Sequence, residues 1–262
     1  MLFRSLVPRL NQRVETILLA GEASPVVLVN GSGRSPYLLI CEHASNLLPK
    51  ALGTLGLPES ELQRHIAWDI GAEQVARQLS RLIDAPLVLQ RYSRLAYDCN
   101  RPPDAADAMP EISETTPIPG NRNLSPADRL ARTTEIYRPF HAAVADLLDR
   151  RAAEGTGSLV ASIHSFTPVY KGKRRTVELG ILHDRDTRLS ARLIDRFPDV
   201  DARPNEPYGP EDGVLHTLNL HAAPRSLQHA MIEIRNDFIS TAPGQAEWAQ
   251  LLAAPLMHAA TT

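Results

Sequence analysis

The stretch Tyr37-Leu38-Leu39-Ile40-Cys41-Glu42-His43-Ala44-Ser45-Asn46 decides the fold. Its first five residues are apolar without alternation, the pattern of a strand buried on both faces of a sheet. The run stops at Glu42-His43, two groups that are costly to bury unless they are paired or used. In open α/β sheets, ligands bind beyond the carboxyl ends of the strands. The stretch therefore predicts a buried strand that delivers His43 to the working edge of a sheet.

Two more segments end the same way. Leu159-Val160-Ala161-Ser162-Ile163 runs into His164-Ser165, and His229-Ala230-Met231-Ile232 runs into Glu233-Ile234-Arg235-Asn236. Further strands are predicted over 26–29, 86–89 and 177–182, the last carrying Glu178. Helices are predicted over 59–68, 70–82, 187–196 and 247–260. In 70–82, Val75, Leu79 and Leu82 have helical spacing, and Asp69 stands where a cap belongs. Ser125-Pro126-Ala127-Asp128 has a cap, a first-turn proline and a first-turn acid. It opens a long helix to about residue 153, with Pro139 as a kink. Strands alternate with helices, so the expectation is one α/β domain over 1–262 with its core over about 26–262. It has three layers, with helices flanking a mixed, mostly parallel sheet. Residues 102–125 are proline-rich and fit no regular element, so they are expected to form an irregular loop.

Composition narrows the partners. The 262 residues carry 28 Lys+Arg against 30 Asp+Glu, a formal charge of -2, so nothing favours nucleic acid or an anionic membrane surface. No apolar run reaches the roughly 20 residues of a membrane span. Residues 1–13 mix Arg4, Arg9 and Arg13 with leucines and lack the apolar core of a signal peptide. Cys41 and Cys99 do not form a C-x-x-C pair, which excludes a cysteine-rich zinc site. The expected setting is cytoplasmic, with reduced thiols.

If the three strands are parallel neighbours, His43, His164 and Glu233 meet in one crevice. Two histidines and a carboxylate suit a divalent metal, zinc above all, with one position left for water. Such a metal lowers the pKa of its water to about 7 and polarises a carbonyl, while a nearby carboxylate takes the proton. The plainer alternative is that each histidine is a satisfied buried polar group. The segment Ser93-Arg94-Leu95-Ala96-Tyr97-Asp98-Cys99-Asn100-Arg101-Pro102 offers an Asn-Arg pair, the chemistry that grips a free carboxylate. Its plainer reading is turn chemistry with an Arg94–Asp98 surface pair. Asp69 is either a metal ligand or orienter, or a helix cap. Glu42 competes for the ligand role, and Asn46 is a weaker, neutral candidate. Lys171-Gly172-Lys173-Arg174-Arg175 reads as a solvated basic loop. His141, His183, His216, His221 and His258 read as structural or surface residues. Ser45 and Ser165 lack the G-x-S-x-G elbow of a serine hydrolase.

Taken in order, these motifs resemble the N-formylglutamate amidohydrolase family. They are Cys41 to Asn46, Trp68-Asp69, Ser93-Arg94 with Asp98 and Asn100-Arg101-Pro102, Tyr137-Arg138-Pro139-Phe140-His141, Ile163-His164-Ser165-Phe166 and Ile232 to Asn236. The resemblance implies a zinc-exopeptidase-like fold and hydrolysis of N-formyl-L-glutamate to formate and glutamate, in histidine degradation. It implies His43 and His164 as metal ligands and Glu233 as general base. It also implies Asn100 and Arg101 as holders of the substrate's α-carboxylate, with Arg94 or Arg235 reading a second one. The sequence departs from the exopeptidase pattern at Asn46, where a Glu ligand is expected. The third ligand then falls to Asp69, because related amidohydrolases carry an Asp before the same helix. The opening Cys-Glu-His also differs from the many relatives with Pro before the His. The expected partner is a small carboxylate-bearing N-acyl amino acid. The rivals are a metal carboxypeptidase or deacylase of another acyl group, a non-catalytic carboxylate-binding protein, and a metal-free serine hydrolase.

Overall fold

The computed structural model describes residues 16–261. The reading of 1–13 lies outside them. Among the described residues the strands are β1 (Val26–Val29), β2 (Tyr37–Cys41), β3 (Leu87–Gln90), β4 (Ile112–Ser113), β5 (Thr116–Pro117), β6 (Leu159–Phe166), β7 (Val169–Tyr170), β8 (Lys173–Arg174), β9 (Leu179–Leu182), β10 (Ala202–Pro204) and β11 (His229–Arg235). The helices are α1 (Glu59–Leu62), α2 (Ala72–Leu82), α3 (Pro126–Arg132), α4 (Arg138–Ala153), α5 (Arg188–Leu193), α6 (His216–His221) and α7 (Ala242–Ala259).

The main sheet runs β1-β3-β2-β6-β11-β9-β10. Its centre, β3-β2-β6-β11, is parallel, while β1 pairs antiparallel to β3 and β9 antiparallel to β11. The predicted mixed, mostly parallel sheet between helical layers is what forms. Strand β2 shows why its sequence is apolar throughout. Tyr37, Leu39 and Cys41 join a core with Val75 and Leu79 of α2 and Leu252 and Leu256 of α7. Leu38 and Ile40 join the opposite core with Phe140, Val144 and Leu147 of α4. Both faces are covered, so alternation would have buried unpaired polar groups.

The departures have local causes. The 59–68 helix is only α1, because Asp69 N–H donates to His43 O at 2.9 Å and draws the chain out of helical geometry. Helix α2 begins at Ala72 behind Gly71, and the Asp69 side chain does not cap it. Its buried face is Ala72, Val75, Ala76, Leu79 and Ile83, whereas Leu82 is exposed. Ser125 and Asp128 form the expected capping box. The helix they open is interrupted by a π turn over Thr133–Tyr137, in which Arg138 N–H reaches Thr133 O. Pro139 has no N–H for a residue four back, and its ring crowds that carbonyl, so the wider turn accommodates it. Strand β6 continues through Phe166, which puts His164 inside the strand rather than past it. Glu178 lies just before β9 and accepts from Asp201 N–H. The 102–125 segment is not wholly irregular, since it contains the β4–β5 hairpin and two short 3-10 turns. Strand β10 and helix α6 were not expected. Helix α7 begins earlier than its apolar pattern, because Thr241 caps it with Pro243 in the first turn.

Gly71 sets the approach of Asp69 to the site. It has φ of 81°, a region that side chains other than glycine's enter at a cost. A Cβ there would lie 2.1 Å from Ile239 O. Gly71→Ala is expected to cost about 2–4 kcal/mol of stability, read as a lower urea midpoint. An unchanged midpoint would contradict this account of the turn.

Candidate metal centre and active site

Parallel pairing brings His43, His164 and Glu233 together. Glu233 of β11 stands opposite His164 of β6 in register, and β2 flanks β6 on its other side with His43 just beyond its end. The His43–Asp69 backbone bond adds Asp69. Ser93 fixes the loop that carries it, donating from Oγ to Ala67 O at 2.7 Å.

His43 Nδ1 lies 3.3 Å from Asp69 Oδ2, and His164 Nδ1 lies 2.8 Å from the same oxygen. Each of the three residues offers a ligand atom, and these atoms all lie within 4.8 Å of one another on buried side chains. Ligands of a tetrahedral zinc at 2.0–2.2 Å are themselves roughly 3.3 Å apart, so the donor set fits such an ion. The far side of each ring strengthens the fit. His43 Nε2 donates to Asp98 Oδ1 at 2.7 Å, and His164 Nε2 lies 2.9 Å from Glu42 Oε2. A carboxylate behind each imidazole fixes its tautomer and turns Nδ1 toward the cluster. Glu42 thus sits behind His164. Asn46 is turned away, donating to Leu62 O at 2.9 Å.

The electrostatics follow from burial and close pairing. Burial raises the Glu42 carboxyl, but the charge and hydrogen bond of His164, with the Ser162 hydroxyl, bring it down to about 2. Burial also opposes ionisation of Asp69 and Asp98, yet the neighbouring histidines hold Asp69, and His43 with Arg94 holds Asp98, well below the usual carboxylate range. His164 is driven up by Glu42 and Asp69 against its own desolvation. Glu233 differs. Burial pushes it up to about 7, only partly opposed by His164, and its Oε2 has no hydrogen-bond partner. A desolvated carboxylate with a free oxygen and a pKa near neutrality suits proton transfer.

His43, Asp69, Asp98, His164 and Glu233 line a cavity of about 240 Å³, below the roughly 300–1,000 Å³ of drug-sized sites. It suits a molecule of amino-acid size. Arg94, Asn100 and Arg101 also line it. Arg94 donates to Asp98 Oδ2 at 2.8 Å and approaches Asp69 Oδ1 at 3.3 Å. The Asn100 side chain donates to Val214 O and accepts from Thr217 N–H, pinning the loop before α6. Arg101 donates to Asp107, Asn100 O and Gly213 O, with one terminal nitrogen left over. Arg235 is not brought to the cavity. It lies over the Phe238 ring and donates to Asp237 and Thr176 O.

Several groups at the site escaped the sequence reading. Asp98 looked like a surface partner of Arg94, but it is buried and orients His43. Ser162 looked like a core strand residue, yet its Oγ donates to Glu42 at 2.6 Å and lies 2.7 Å from His164 Nε2. Ser162, His164 and Asp69 therefore line up like a Ser-His-Asp triad. The hydroxyl is fully buried and does not line the cavity, so no substrate carbonyl can reach it. Ser165 Oγ donates to Ile70 O, and Ser45 Oγ accepts from Leu47 N–H, so neither is paired with a histidine base. Tyr208 and Tyr170 also line the cavity, with no signal in the sequence beyond their type. Of the histidines read as structural, His141 and His221 are buried and bonded to each other at 2.8 Å. His141 Nε2 also donates to Cys99 O.

Among the described residues, no helix is long and apolar enough to cross a membrane. No curated protein matches the chain. The solved structure of gene product Atu2144 from Agrobacterium tumefaciens is 48% identical with a TM-score of 0.92, covering 94% of this chain and 98% of that one. N-formylglutamate amidohydrolase from Ralstonia eutropha JMP134 shares the fold at a TM-score of 0.72 and 18% identity, covering 91% of this chain and 98% of that one. Residues 35–240 match the N-formylglutamate amidohydrolase family, a span that contains every cluster residue described above. The chain belongs to the N-formylglutamate amidohydrolase family and is a hydrolase acting on amide bonds of small N-acyl amino acids.

Proposed function

We propose that the chain is a metal-dependent amidohydrolase whose substrate is N-formyl-L-glutamate, cleaved to formate and glutamate. One observation carries this reading: two imidazole Nδ1 atoms and Asp69 Oδ2 converge, with a separate carboxylate behind each imidazole. His43, Asp69 and His164 would hold a divalent metal, zinc by the nature of the donors. When bound, such an ion supplies a Lewis acid for the acyl carbonyl and acidifies a water.

The chain's own residues do the rest. Glu233, with a free Oε2 and a pKa pushed up by burial, takes a proton from the attacking water. It returns that proton to the amide nitrogen as the C–N bond breaks, so glutamate leaves as the amine. Asp98 and Glu42 keep the histidine rings from turning. Arg101 offers its remaining terminal nitrogen to the α-carboxylate, while Asn100 holds the loop against which Arg101 leans. The small cavity, about 240 Å³, favours a short acyl group.

Arg101→Ala is expected to raise KM for N-formyl-L-glutamate by about 10- to 100-fold, with a smaller effect on kcat. An unchanged KM would remove Arg101 from the substrate site. The reading as a whole is tested by hydrolysis of N-formyl-L-glutamate against formyl, acetyl and succinyl derivatives of other amino acids. No turnover of any member would contradict it.

A further inference from the structure

The two residues expected to read a second carboxylate are engaged elsewhere. Arg94 is committed to Asp98 and Asp69, and Arg235 to Asp237 and Thr176 O. Arg175 is not. It follows β8 at the end of the basic run 171–175, on the hairpin that comes after Phe166 at the end of β6. Its guanidinium carbon lies 4.6 Å from the ring centre of Tyr170, 4.7 Å from that of Tyr208 and 5.7 Å from that of Phe166. Its hydrogen bonds go to neutral oxygens, Tyr208 Oη at 3.0 Å and Thr167 O at 3.5 Å. Among the described residues, no carboxylate pairs with it. Aromatic faces hold a planar cation in place without neutralising it.

Its position is as telling as its charge. Tyr170 and Tyr208 line the catalytic cavity together with Glu233. Tyr170 and Arg175 also line a neighbouring cavity with Lys173 and Arg174. The one acid on that second cavity, Glu206, is paired with Arg203 at 3.1 Å. Tyr170 is thus a wall common to the metal-centre cavity and to a basic recess whose one acid, Glu206, is already paired. Lys171 N–H donates to Glu114 Oε1 at 2.9 Å, which anchors the hairpin to the β4–β5 turn on the opposite wall. The Tyr208 hydroxyl accepts from Arg175, so its own proton is left to donate.

We propose that Arg175, caged by Tyr170 and Tyr208, binds a second anionic group on the substrate and makes the enzyme selective for acidic N-acyl amino acids. The proposal rests on the amidohydrolase reading above for its substrate class. N-formyl-L-glutamate and N-formyl-L-glutamine are nearly equal in size and differ by one charge, so they isolate the contact. The wild type is expected to prefer the glutamate compound in kcat/KM. Arg175→Gln is expected to lower that value by about 10- to 100-fold for the glutamate compound while changing the glutamine compound by about twofold at most. Arg175→Lys, which keeps a charge on the aromatic faces, retains part of the preference. Arg175→Met fills the cage without charge and gives the same readout as Gln should that variant not fold.

An equal loss on both compounds would make Arg175 a structural residue and overturn the proposal. So would a preference that survives Arg175→Gln, or a wild type without one. If the wild type hydrolyses neither compound, calorimetric binding of both to wild type and Arg175→Gln decides. A glutamate preference lost in the variant then upholds Arg175 while the hydrolytic reading fails. No such preference overturns Arg175 as well.

Discussion

Glu233→Gln is expected to lower turnover of N-formyl-L-glutamate by about 10²- to 10⁴-fold, the usual contribution of a general base, while metal content stays that of the wild type. Gln is isosteric with Glu but cannot accept and return a proton. The fold should survive, because Glu233 Oε2 makes no hydrogen bond that the substitution would break. The neutral amide also removes a carboxylate whose ionisation burial resists, as its pKa of about 7 shows. A variant with near-normal turnover would show that another group moves the proton. A variant that had lost its metal would place Glu233 among the ligands instead.

The second large effect is expected at Asp69. Its Oδ2 meets both histidine Nδ1 atoms, and its other oxygen faces Arg94. Asp69→Asn removes the only charge shared by the three cations or potential cations around it. Removing one partner of a buried charged cluster typically costs about 3–5 kcal/mol. Metal affinity should fall by at least about 100-fold, beyond what loss of an outer partner causes. Asn46→Ala is the control. Its amide is bonded to Leu62 O, away from the cluster, so metal content should not change. Full metal occupancy in Asp69→Asn, or loss of metal in Asn46→Ala, would reverse the assignment of the third ligand.

Much of this was legible because strand burial leaves a direct trace in sequence. An apolar run without alternation, as in Tyr37 to Cys41, has few readings other than a strand covered on both sides. Parallel neighbours then align their carboxyl ends, so the sequence alone groups His43, His164 and Glu233. Asp69 was legible only as a choice between cap and ligand. Gly71 removes the cap reading, because a positive-φ glycine makes the helix entry and leaves the Asp69 side chain free to face the histidines.

What stayed hidden depends on pairings distant in sequence. Asp98 shows a local partner in Arg94 four residues back, whereas its contact with His43 spans 55 residues. Glu42 and His43 are adjacent in the chain, and nothing local says that Glu42 backs His164 while His43 faces Asp69. The reversed direction of β9 and the π turn ahead of Pro139 are likewise solutions reached in packing, not patterns of residue type. Arg175 looked like part of a solvated basic loop, because the aromatic rings that hold it come from positions 166, 170 and 208.

In the proposed function, His43, Asp69 and His164 hold a metal on which amide hydrolysis depends. The most direct measurement is elemental analysis of the purified protein together with N-formyl-L-glutamate hydrolysis before and after chelation. About one divalent ion, zinc, per chain is expected, with loss of activity on its removal and recovery when zinc is returned. Full turnover by protein shown to be metal-free would contradict it.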